Sequence, residues 1–170
     1  MLYLLDANVL ITANSAYYPI DQVPEFWGWM HHQASSDQIK IPREILEEIR
    51  AGRKDDDQLL DWISSPEIET ALLLDEVVDA ALVQQVVTQG YAADLSDVEI
   101  EKIGRDPFLI AYALAQPTDR TIVTTEVSRP SALRANRKVP DVCQVLGVPS
   151  CGPFSLNKVL GFRTGWQTSN

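Results

Sequence analysis

Residues 2–5 (LYLL) form a short apolar run that stops at Asp6, the profile of a buried parallel strand that delivers a polar side chain at its carboxyl end. The same junction recurs late in the chain. There the β-branched run TIVTT at 121–125 predicts a central strand ending in Glu126. IKI at 39–41 predicts a second short strand. Helical patterns fill the intervals. Pro24 opens the aromatic-rich EFWGWMHHQA, and Pro42, at a first helical position, opens a helix to about Ala51 with Ile45, Leu46 and Ile49 on one stripe and Gly52 as its stop. A short helix is expected after Asp55, Asp56 and Asp57, broken by Pro66. Leu73, Val77, Ala80, Ala81 and Val87 predict one long helix over 69–87 ended by Gly90, the alternative being that 67–73 is extended. Asp97 is a candidate cap for a short helix, and Asp106 for a better one through PFLIAYALA with Pro107 at its first position. Further short helices are expected over 140–146 and 154–160. Strands separated by helices predict one α/β domain with a parallel sheet.

At 170 residues the chain is long enough to bury a core without disulfides or a structural metal. No apolar run reaches the length of a membrane span, so no membrane partner is expected. The N-terminal run lacks a basic leader and carries Asp6 and Asn8 in its middle, so export is not expected either. Cys143 and Cys151 suggest reduced, buried thiols in a cytoplasmic setting, a bridge between them being the alternative.

A net charge of −10 opposes a nucleic-acid partner until its distribution is considered. Residues 55–101 hold 13 of the 24 acids and no Lys or Arg, whereas the rest of the chain has 14 basic residues against 11 acids. Arg43, Arg50, Arg53 and Lys54 form one basic group, and Arg129, Arg134, Arg137 and Lys138 another. Each is either a solvated surface or a phosphate-binding face.

In open parallel sheets, ligands bind outside the carboxyl ends of the strands, where Asp6 and Glu126 are expected. Asp106 at a helix start and Glu48 inside the helix after the second strand add two more acids. Four carboxylates without compensation repel one another and raise their own pKa values, so the cluster is stable mainly around a divalent cation. An all-oxygen set selects Mg²⁺ or Mn²⁺ over zinc, and such an ion equips a site for phosphodiester hydrolysis.

LLDANVLI, IPREILEEIRAG, GRDPFLIAYALA and TIVTTE resemble, in order and spacing, the four motifs of the PIN domain, the fold of many toxin ribonucleases similar to VapC. The tail RKVPDVCQVLGVPSCGPFSLNKVL resembles that of a toxin-like PIN subfamily. The resemblance implies a three-layer α/β/α sandwich and an Mg²⁺- or Mn²⁺-dependent endoribonuclease. It would act through a metal-activated water and leave a 5′-phosphate and a 3′-hydroxyl. Carried over position by position, it makes Asp6, Glu48, Asp106 and Glu126 the catalytic metal ligands, with Asn8 and Thr124 in support. Glu44, one helical turn from Glu48 on the same face, is either a supporting residue or the true second-motif acid. Glu126 stands where Asp is commoner, which leaves direct and water-mediated contact with the metal both open. Arg43, Arg50, Arg129 and Arg134 are candidates for holding RNA phosphates. An antitoxin protein covering the acidic cleft with a basic side chain, and a homodimer formed through the stretch containing Phe26, Trp27 and Trp29, are the implied protein partners.

Taken singly, these residues have plainer explanations: Asp6 as a strand-end cap, Asp106 as an ordinary helix start, Glu44 and Glu48 as surface helix formers. A haloacid-dehalogenase-type phosphatase would need a second Asp where Asn8 stands. A PIN-like binding or scaffold module without catalysis is the competing reading.

Overall fold

The two short apolar runs flagged by their terminal acids lie side by side at the centre of a parallel sheet. In the computed structural model, which describes residues 1–52 and 57–168, β1 (Leu2–Leu5) is flanked by β2 (Ile39–Lys40) and β3 (Arg120–Val123), and β4 (Ser150–Cys151) closes the far edge. The order is β2-β1-β3-β4, with every pairing parallel. Leu5 registers with Val123 and Val123 with Cys151, so three strands end at nearly one level. Tyr3, Leu4, Leu5, Ile122 and Val123 are buried, as strands covered on both faces require.

Helices flank this sheet in a three-layer α/β/α sandwich. They are α1 (Ala7–Thr12), α2 (Pro24–Ser35), α3 (Arg43–Ala51), α4 (Gln58–Ser64), α5 (Pro66–Leu72), α6 (Ala80–Gln85), α7 (Asp97–Ile103), α8 (Asp106–Leu114), α9 (Val139–Leu146) and α10 (Pro153–Val159). α8 is apolar almost all round, and its buried Leu109, Ile110, Ala111, Tyr112 and Ala113 pack it among α3, α6, α9 and β3. α2 packs with α5 and β2, and its Phe26, Trp27 and Trp29 are no more than 3% exposed. These rings fill the chain's own core, so a dimer contact through this stretch would rest on its exposed residues. No helix among the described residues is long and apolar enough to cross a membrane.

The long helix expected over 69–87 does not form. Pro66 starts α5, and the chain then extends so that Leu74 N–H donates to the Ile41 carbonyl (2.9 Å) while Ile41 N–H donates to that of Leu72 (2.7 Å). Leu72 and Leu74 are buried and Val77 is exposed, so the apolar spacing came from an extended crossing at the sheet edge followed by a new helix. Asp79 caps that helix by accepting from Ala81 N–H (2.8 Å), and a π-helical turn, Val86–Tyr91, carries it past Gly90. The extended alternative fails as well, since α5 is helical to Leu72. Three caps also differ from expectation. Pro42 precedes α3 as its N-cap, Ser96 rather than Asp97 caps α7 through a capping box with Glu99, and Arg105 precedes α8, leaving Asp106 as its first residue. α1 and β4 had no clear pattern in so few residues. Arg53, Lys54, Asp55 and Asp56 lie outside the described residues.

Candidate active site

Because Leu5 and Val123 are in register, the residues that follow them emerge together. Thr124 Oγ1 donates to Oδ2 of the buried Asp6 at 2.6 Å, and it accepts from the Glu126 N–H at 3.1 Å. One hydroxyl thus ties both strand ends. The other Asp6 oxygen accepts from the Asn8 N–H at 3.5 Å, which makes Asp6 the N-cap of α1. Asn8 acts here through its backbone, its side chain being exposed. Burial holds the Asp6 carboxyl above its ordinary range, against the opposing pull of Thr124 and Asn8.

Asp106 approaches from the first turn of α8, where the Tyr91 hydroxyl donates to its Oδ2 at 3.4 Å. Burial, and then the charges of Asp6, Glu126 and Glu48, push its carboxyl up to about 7. Glu48 enters from α3. The residue is exposed, yet partial burial and the charge of Asp6 hold its carboxyl high, while Arg105 pulls the other way. The four acids therefore share one electrostatic neighbourhood although they come from four separate segments.

Glu126 is the exception in its contacts. Its Oε1 accepts from Lys138 Nζ at 2.8 Å and its Oε2 from the Val139 N–H at 2.7 Å, so it sits on the amino end of α9 with a cation beside it. Among the described residues, no three carboxylate, thiol or imidazole groups are already arranged about one point as metal ligands. The donor set still fits a hard divalent ion, being all oxygen, negative and partly desolvated. Asp6, Glu48 and Asp106 are the acids without an ion pair among the described contacts, whereas Glu126 would first have to leave Lys138 and α9.

Glu44 points elsewhere. It faces Tyr112 on α8, and its Oε2 is buried with no partner, so the two acids of α3 one turn apart have separate surroundings. The basic candidates divide too. Arg50 pairs with Glu69 (2.9 Å), and Arg134 with Asp94 and Glu99 (both 2.7 Å), so each would have to leave or share these acids to hold a phosphate. Arg43 is exposed at the start of α3. Arg129 lines a cleft of about 280 Å³ together with Lys102, Lys138, Asp106 and Glu126. Its loop is fixed by Asp141, which accepts from Ser128 Oγ (2.5 Å) and Arg129 N–H (2.8 Å).

Tyr91, Arg105 and the pairing of Lys138 with Glu126 were not anticipated. Arg105 lies inside the third motif, directly before Asp106, so its position carried a signal; Tyr91 reaches Asp106 through the unanticipated π-helical turn and carried none.

A family model matches residues 3–164, a span that includes every one of these acids. The chain belongs to the DUF4411 family, a domain of unknown function. None of the curated proteins compared with it matches. The DUF4411 match runs from β1 through α10, so the acids, the cleft and the loop fixed by Asp141 all lie within the family's domain. Both cysteines of this DUF4411 chain are free thiols, and Cys143, buried beside Asp106, is pushed up to about 12 by burial and then by that acid.

Proposed function

We propose that this DUF4411 chain is a metal-dependent endoribonuclease of the PIN kind, the toxin of a toxin–antitoxin pair. The observation that carries the reading is the shared neighbourhood of Asp6, Glu48, Asp106 and Glu126 at the carboxyl edge of the sheet, with Asp106 held at about 7 by burial and by the other three. Such a cluster is most stable as anions beside a divalent ion, and its oxygens favour Mg²⁺ or Mn²⁺. When bound, the ion supplies an activated water and neutralises phosphate charge.

Asp6, Glu48 and Asp106 would hold it. Thr124 fixes the orientation of Asp6, and Tyr91 that of Asp106. Lys138 keeps Glu126 at the rim, and Arg129 and Lys102 offer positive charge to RNA phosphates that reach the cleft. The implied partners are RNA, an antitoxin protein bringing a basic side chain to the acidic cleft, and a second copy of the chain. The free thiols accord with a cytoplasmic setting.

A second reading, a PIN-like scaffold without catalysis, is favoured by the Lys138–Glu126 pair, which neutralises one acid without metal. Incubating total RNA with wild type and with Asp6→Asn/Asp106→Asn, in Mg²⁺, Mn²⁺ or chelator, separates the two. A nuclease cleaves only with metal and intact acids, and a scaffold leaves RNA whole in every tube.

A further inference from the structure

The cleft beside Asp106 and Glu126 is lined by Lys102, Arg129, Arg137 and Lys138, and these cations are committed differently. Lys102 Nζ donates to Asn136 (2.6 Å), and Arg137 donates to the carbonyls of Gly90 and Asp141. Among the described residues, Lys138 alone is bonded to one of the four acids, Glu126. Its position is fixed at both ends. The Lys138 carbonyl accepts from the N–H groups of Asp141 (2.9 Å) and Val142 (3.0 Å) in the first turn of α9. Its Nζ meets Glu126 Oε1 at 2.8 Å, while Oε2 of the same carboxylate takes the Val139 N–H at 2.7 Å. From Glu126 the contacts run on to the first acid: the Glu126 N–H donates to Thr124 Oγ1 (3.1 Å), and that hydroxyl donates to Asp6 (2.6 Å). A positive charge is thereby held at the carboxyl edge of the sheet, and at 40% exposure it still faces the open cleft.

We infer that the Lys138 ammonium takes the place of a second divalent ion, so that the site works with one ion and one lysine. The inference rests on the nuclease reading above. Phosphodiester hydrolysis with two ions places positive charge at both the attacking and the leaving oxygen. Here Asp6 and Asp106 accept from neutral groups, so they and Glu48 supply oxygens for one ion. A second would need Glu126, whose two oxygens are both engaged and beside which an ammonium already stands. Bringing a dication there sets like charges against each other in a cleft that Arg129 and Lys102 also line. The ammonium has three donors on a flexible stem, so it can turn one toward a phosphate oxygen and keep Glu126 with another. In the reaction, the oxygen of the attacking water bonds to phosphorus and the bond to the 3′-oxygen breaks with its electron pair. One proton passes from the water to solvent and one from solvent to the 3′-oxygen. Lys138 keeps its own protons and stabilises the charge gathering on the phosphate through a hydrogen bond.

The test counts ions. The full chain as wild type, Lys138→Met and Lys138→Arg, each checked for folding by circular dichroism, is titrated with Mn²⁺ by calorimetry and loaded for low-temperature electron paramagnetic resonance. Lys138→Gln stands in should the methionine variant misfold. Wild type and Lys138→Arg should bind one ion with an uncoupled Mn²⁺ spectrum, and Lys138→Met two, with the spin coupling of a close pair. Cleavage of total RNA should follow the same count. Its rate should rise with the first power of Mn²⁺ concentration in wild type and more steeply in Lys138→Met, whose rate at limiting Mn²⁺ should fall by about 100-fold and recover as Mn²⁺ is raised. Two coupled ions in wild type, or a single ion in Lys138→Met, would overturn the inference. The expected counts without any cleavage of RNA would keep the one-ion site and remove the nuclease reading, and cleavage by a wild type holding two ions would do the reverse. A wild type that binds no Mn²⁺ would remove both.

Discussion

The Thr124 hydroxyl donates to Oδ2 of Asp6 across 2.6 Å, joining the carboxyl end of β3 to that of β1 at the point where the acids meet. Both residues are buried, so removing the donor leaves a carboxylate oxygen without a partner. Thr124→Val keeps the shape and should lower stability by about 1–3 kcal/mol in urea denaturation. A valine variant as stable as wild type would mean that the bond contributes nothing beyond what water supplies.

Asp106 gives a pH signature. Its carboxyl is pushed up to about 7 in the fold, chiefly by burial, against an ordinary value of 3.8. The stability associated with its bound proton is therefore fully present below about 3.8 and is lost as pH rises through about 7. In metal-free buffer, Asp106→Asn should match wild type in melting temperature near pH 4 and exceed it at pH 8. Equal melting temperatures at pH 8 would remove the basis for calling the cluster strained.

Lys138 pairs with Glu126 at a partly exposed position, so Lys138→Met should cost less than about 1 kcal/mol of stability. The same change frees Glu126 and makes the cleft more negative. Calorimetric titration with Mn²⁺ should then show tighter binding than wild type; weaker binding would mean that Lys138 organises the site rather than opposing the ion.

The two late arginines should behave differently. Arg134 is engaged by Asp94 and Glu99, with its backbone at φ 54°, whereas Arg129 lines the cleft. Arg129→Ala should reduce the slope of log affinity for single-stranded RNA against log salt by about 0.7 and leave the melting temperature unchanged. Arg134→Ala should do the opposite, lowering the melting temperature at constant slope.

The strand-to-acid junction at Asp6 was legible because β1 is wholly apolar and the polar residue ending it stands out. β3, by contrast, runs from the buried Arg120 only to Val123, so the strand expected over 121–125 stops three residues short of Glu126. Prolines 24, 107 and 140 fall as expected in first turns of helices, where a missing N–H costs nothing, and Pro66, expected only to break a helix, also opens one. What stayed hidden depended on distant partners. Leu73 and Leu74 extend because Ile41 bonds the backbone of Leu72 and Leu74, and nothing local distinguishes that from a continuing helix. Glu44 and Glu48 share a helix face, and only the packing of α3 on α8 sends one toward Tyr112 and the other toward Asp6. Lys138 follows Glu126 by twelve residues across a loop fixed by Asp141, a return that no periodicity reports.

The central claim, that these acids act with a divalent ion on RNA, is tested most directly by end-group analysis of RNA cut by purified protein. Matched reactions would compare wild type, Glu48→Gln, Glu44→Gln and Asp6→Asn/Asp106→Asn in Mn²⁺ and in chelator. The account predicts 5′-phosphate ends from wild type and Glu44→Gln in Mn²⁺, and none from Glu48→Gln, from the double variant or in chelator. Cleavage that persists in chelator, or that survives loss of both Asp6 and Asp106, would contradict it.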